Sequence, residues 1–137
     1  YDILMSQYRL NKDAIDPVDY ADKFGGGDVD DIENLINIYS KEYTSPKRVT
    51  TISWGSRGGI TTYRFLNRTK YLVNKSVIIQ GASDFKLLER SRGKFFFSFL
   101  SEDEKKSRDL SQNLFERKSV LLIHSKDNFK TPVDSWK

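Results

Sequence analysis

At residue 47 the spacing of apolar residues changes, and this change constrains the fold more than any other feature of the 137-residue chain. Before it, Val29, Ile32, Leu35, Ile36, Tyr39 and Tyr43 recur at the three-to-four interval of one helix face. After it, Val, Ile, Thr, Tyr and Phe alternate with polar residues and are broken at short intervals by turn formers, as in strands.

The helical part reads as follows. Tyr1–Leu10 carries a short helical pattern with Ile3, Leu4 and Tyr8 on one side, and Asp16-Pro17 breaks it. Gly25-Gly26-Gly27 is a flexible joint. A second helix follows, with Asp30 as its cap and Glu33 in capping-box spacing, ending near Thr44 because Ser45-Pro46 stops it.

Five strands are expected from Lys47 to Leu100: Arg48–Trp54, Ile60–Leu66, Tyr71–Gln80, Phe85–Arg90 and Lys94–Leu100. Connections this short join antiparallel neighbours, so the expectation is an antiparallel meander. In it Gly55-Ser56-Arg57-Gly58-Gly59 is the bend of a hairpin, and Phe95, Phe97 and Phe99 share a face of a strand covered on both sides. Ser101-Glu102-Asp103-Glu104 repeats the capping-box pattern and opens a surface helix to about residue 117, and Ser119–Ile123 returns as a final strand. The fold class expected is therefore α+β, one domain over residues 1–137: an acidic helical part (1–45), a basic sheet with one helix (46–124) and a tail (125–137).

Composition narrows the function classes. Cysteine is absent and His124 is the only histidine, so a disulfide framework and the usual zinc sites are excluded. No run of about 18 apolar residues is present to cross a membrane. Asp28, Asp30 and Asp31 lack EF-hand spacing and belong to a helix start. The glycine-rich centre lacks the Lys and Ser/Thr of a phosphate loop, and neither a Gly-x-Ser-x-Gly nucleophile turn nor a paired general acid and base can be named. No catalytic residue, metal site or cofactor is assigned, and the chain is not expected to be an enzyme. Asn67-Arg68-Thr69 and Asn74-Lys75-Ser76 match the glycan acceptor triplet, at a frequency chance supplies.

Charge is unevenly distributed. Residues 1–45 carry four Lys/Arg against ten Asp/Glu, whereas residues 46–100 carry eleven against two. The two parts either neutralise each other or face different partners. The function expected is a non-catalytic structural or protein-interaction module in a larger chain or assembly, docking through Phe129 and Trp136. The alternative is a nucleic-acid-binding domain whose basic sheet face and glycine-rich loop present Arg57, Arg64, Arg68, Lys70 and Arg92. Neither reading indicates a compartment.

Overall fold

The computed structural model describes residues 2–5, 25–43, 48–81, 98–108 and 119–125. These contain, in chain order, α1 (Gly27–Glu42), β1 (Val49–Trp54), α2 (Gly55–Arg68), β2 (Val73–Ile79), α3 (Glu102–Arg108) and β3 (Ser119–Ile123). The strands form one sheet in the order β1-β2-β3, and both pairings are parallel. Residues Ile52, Val77 and Leu121 stand side by side across it, as do Trp54, Ile79 and Ile123.

This overturns the antiparallel meander and with it the α+β class. The reason lies in residues 60–66. Ile60, Thr61, Thr62, Tyr63 and Phe65 are β-branched or aromatic and read as a strand, yet they form the middle of α2. A helix between β1 and β2 converts a hairpin into a crossover, and a crossover makes the two strands parallel. The composition of α2 fits its place, because nearly every residue from Gly58 to Leu66 is buried. A helix enclosed on most sides needs apolar residues all round rather than along one stripe. It lies on β1 and β2, with α1 and α3 packed against it. The core there consists of Val29, Ile36, Tyr63, Phe65, Leu66, Val73 and Ile78, joined by Ile32, Tyr71, Val120 and Leu122.

Other readings meet the structure differently. The helix read around residue 30 is α1, but it starts at Gly27, with Gly26 before it and no side-chain cap, so Asp30 caps nothing. Ser101 and Glu104 do form the reciprocal cap: the Ser101 N–H donates to Glu104 Oε2 at 2.8 Å, and the Glu104 N–H to Ser101 Oγ at 3.3 Å. β3 has the bounds read from the sequence. The expected strand 85–90, the part of strand 94–100 up to Phe97, and the tail beyond Ser125 lie outside the described residues, while Ser98–Leu100 form a turn.

The connections β1 to β2 and β2 to β3 step across the sheet in the same direction. Right-handed crossovers then place both on one face, and the contact of α3 with α2 agrees. Among the described residues no element covers the opposite face. Ile52 and Trp54 are each 75% exposed, Leu121 56% and Ile123 46%.

Candidate functional site: the strand-to-helix turn at Ser56

In an open parallel sheet, ligands and reacting groups gather beyond the C-terminal ends of the strands. β1 ends there at Trp54 and α2 begins at the next residue, Gly55, with no intervening loop. The whole reversal therefore falls on Gly55, whose φ of +79° suits glycine because it has no Cβ. Ser56 is the first side chain after the bend, half-buried in the opening turn of α2. Its backbone N–H and those of its neighbours belong to the helix start, where the N–H groups point off the helix end toward that edge.

Glycines set how close the helix comes to the sheet. Gly58 and Gly59 are buried in the first turns of α2, and Gly59 lies against Gly81 just past β2. A Cβ at Gly81 would stand 2.9 Å from Gly59 Cα and 2.5 Å from Ile78 Cγ2, so the two backbones meet where only glycine fits. Between β2 and Gly81, Gln80 has a φ of +53° and donates its N–H to the Ile123 carbonyl at 2.7 Å. A non-glycine residue held in the left-handed region at the C-terminal edge is a form of strain that clusters at functional sites. His124 follows β3 at the same edge, half-buried, with Nδ1 2.9 Å from the Ser125 carbonyl oxygen.

Behind the turn lies a buried carboxylate. Asp28, 2% exposed at the start of α1, accepts the Thr61 hydroxyl on one oxygen and the Val29 N–H at 2.9 Å on the other. Burial raises its pKa, opposed by the Thr61 hydroxyl, backbone hydrogen bonds from Gly25 and Val29, and the charge of Arg57. Deeper in α2, burial pushes the Tyr63 phenol well above its ordinary value.

The expected contact residues are dispersed rather than gathered on a basic face. Arg57 is half-buried in the first turn of α2, with Nε and Nη1 out of reach of solvent, not at a hairpin tip. Arg64 is half-buried in the same helix. Arg68 reaches back to α1, where Asp30 accepts from it and Glu33 lies 3.4 Å away; the Asp30 hydrogen bond is the main cause of its raised pKa. Lys70 is exposed, 5.8 Å from the centre of the Tyr71 ring. Arg92, Phe129 and Trp136 lie outside the described residues. Arg68 thus faces acids of α1, an instance of the mutual neutralisation weighed from the charge distribution.

The candidate residue that the sequence pattern did not single out is Ser56. Ser56-Arg57-Gly58-Gly59 matches the second half of a Gly-x-Ser-x-Gly turn, with Trp54 in place of the first glycine. The signal was present, but the hairpin reading placed it between the wrong elements. Among the described residues no group of three or more metal-ligating side chains comes together, and no helix is long and apolar enough to cross a membrane. No protein-family model matches the chain, and neither the curated proteins nor the solved structures include one similar enough to count as a relative.

Proposed function

We propose that this chain carries the nucleophile turn of a serine hydrolase acting by acyl transfer on esters or amides. The observation that carries this reading is the loop-free passage from parallel strand β1 through Gly55 into α2, with Ser56 as the first side chain beyond the bend. A phosphate-binding turn has the same order of elements but needs a loop of several residues to wrap the anion. Here no residue separates strand from helix, so the turn favours presenting one side chain over enclosing a ligand.

Each group then has a role. Ser56 Oγ attacks the carbonyl carbon, and N–H groups at the start of α2, beginning with the one after Ser56, stabilise the oxyanion. In such enzymes the chain order is serine, acid, histidine. Asp127 comes four residues after the end of β3 in the sequence and lies outside the described residues. It is the candidate acid. His124 is the one imidazole these residues offer, and it precedes Asp127, a departure from the usual order.

The test is labelling by an alkyl fluorophosphonate, which reacts with activated serines. The chain should be labelled, Ser56→Ala should abolish labelling, and Ser53→Ala should leave it intact. Labelling that persists in Ser56→Ala would refute the assignment. Loss of labelling in His124→Ala would make that imidazole the base; retention would assign the proton transfer to another group.

A second reading, the protein-interaction module, is favoured by the exposed apolar residues of the sheet face that no described element covers, Ile52, Trp54, Leu121 and Ile123. Parallel sheets are normally covered on both sides. Its three five-residue rows span about 14 by 17 Å, far below the roughly 800 Å² per partner of a stable dimer but wide enough for one helix. The partner this face fits is an amphipathic helix with an aliphatic stripe. The two readings are compatible, since the turn and the open face use different groups. A polyanion site finds less support, because Arg68 already faces carboxylates of α1 and Arg57 and Arg64 are half-buried.

A further inference from the structure

We infer that Gln80 is a specificity-determining residue of the Ser56 site, its side-chain amide hydrogen-bonding the part of the substrate that flanks the reacting carbonyl. The inference rests on the hydrolase reading and adds to it a residue from another strand end. It starts from the backbone. Gln80 has a φ of +53°, and among the described residues it is the one non-glycine with a positive φ. Glycine holds that conformation freely, whereas a residue with a Cβ is strained in it. The chain sets glycine at the next position, Gly81, and glutamine at this one.

The described fold makes no use of the side chain kept under that strain. The Gln80 N–H donates to the Ile123 carbonyl at 2.7 Å, but its side-chain amide has no hydrogen bond among the described residues, although the residue is half-buried. That amide carries two N–H donors and a carbonyl acceptor, the groups that recognise an ester or an amide. Contacts on both sides fix where it starts. The Gln80 N–H ties the end of β2 to β3, and Gly81 packs on Gly59 in the first turns of α2. Trp54 and Ile79 are the last paired residues of β1 and β2, on strands about 4.8 Å apart; the next residues are Gly55, which makes the turn, and Gln80. Gln80 therefore stands beside the residue that precedes Ser56, at the sheet edge where a bound ligand lies. Bond breaking belongs to the turn, and Gln80 adds grip on the remainder of the substrate.

The experiment uses the full chain, with Gln80→Ala and Gln80→Gly. The first removes the amide and keeps the backbone strain; the second removes both. Gln80→Gly should melt roughly 2–4 °C above Gln80→Ala. Equal melting temperatures would overturn the strained backbone and the inference built on it. Labelling is then followed with two fluorophosphonates, one carrying a plain alkyl chain and one whose chain bears amide groups beside the phosphorus. In both variants the concentration of the amide-bearing probe giving half the maximal rate should rise about 10-fold, the scale of one lost hydrogen bond, with the maximal rate unchanged. The alkyl probe should label both variants as it labels wild type. A purely structural role predicts the opposite for Gln80→Gly, because glycine satisfies the backbone and wild-type labelling would follow. Wild-type labelling by the amide-bearing probe in either folded variant overturns the inference and leaves Ser56 as nucleophile, and so does an equal loss with both probes. Absence of labelling of the wild-type chain by either probe overturns the hydrolase reading and the role of Gln80 together.

Discussion

Replacing Gly81 by alanine tests the placement of α2 on the sheet. The added methyl group would stand 2.5 Å from Ile78 Cγ2 and 2.9 Å from Gly59 Cα, distances that side-chain carbons do not tolerate. The isoleucine methyl can give way by a rotamer change, but Gly59 Cα is backbone, so relief requires moving the start of α2 off the end of β2. Overpacking of this kind costs about 1–3 kcal/mol, and the backbone contact argues for the upper half of that range. For a domain of this length that is a fall in melting temperature of roughly 8–12 °C. Gly55→Ala supplies the contrast. Nothing lies within 4 Å of its Cβ position, so any loss there comes from the φ of +79°, at about 1–2 kcal/mol. Urea denaturation followed by far-ultraviolet circular dichroism gives both free energies, with an unchanged m-value expected if only native packing is affected. A Gly81→Ala variant as stable as wild type would refute the packing of Gly59 on Gly81, and with it the crossover from β1 to β2.

Two further outcomes follow from the same geometry. Asp28 has a native pKa raised above the usual 3.8, so the native state holds its proton to higher pH than the unfolded chain does. Its contribution to stability is complete below pH 3.8 and is lost as the pH rises through the native pKa. Denaturation of wild type and Asp28→Asn across that window should show wild type gaining on the variant as the pH falls, and a pH-independent difference would contradict the burial argument. On the open face, Ile52→Lys and Leu121→Lys should each change stability by less than about 0.5 kcal/mol, because those side chains are already mostly in water. Binding of a hydrophobic dye should fall in the double variant; a collapse in stability instead would mean the face is covered within the chain.

Much of the framework was legible in local pattern. The interval of apolar residues marked α1, alternation marked β1 and β2, a short aliphatic run marked β3, and Ser101 with Glu104 marked the start of α3. What local pattern did not carry was the state of residues 60–66. Their β-branched and aromatic side chains favour a strand by propensity, and the helix prevails through burial between the sheet and α1, information spread over elements distant in sequence. That one difference reversed strand direction and turned a hairpin bend into a strand-to-helix turn. The position of the turn residues changed with it: Arg57, read at a hairpin tip, is half-buried in the first turn of α2, and Ser56 stands at the helix start. The capping role read for Asp30 failed because α1 starts three residues earlier, leaving Asp30 and Glu33 to pair with Arg68.

Whether the fold makes the Ser56 hydroxyl reactive can be read directly by mass. Trypsin cuts after Arg48 and Arg57, releasing the nonapeptide 49–57 with four hydroxyls, on Thr50, Thr51, Ser53 and Ser56. After fluorophosphonate treatment of the folded chain, fragmentation of that peptide should place the whole adduct on Ser56, and denaturation beforehand should prevent its formation. An adduct on another hydroxyl, or one formed equally in the denatured chain, would contradict a nucleophile made by the fold.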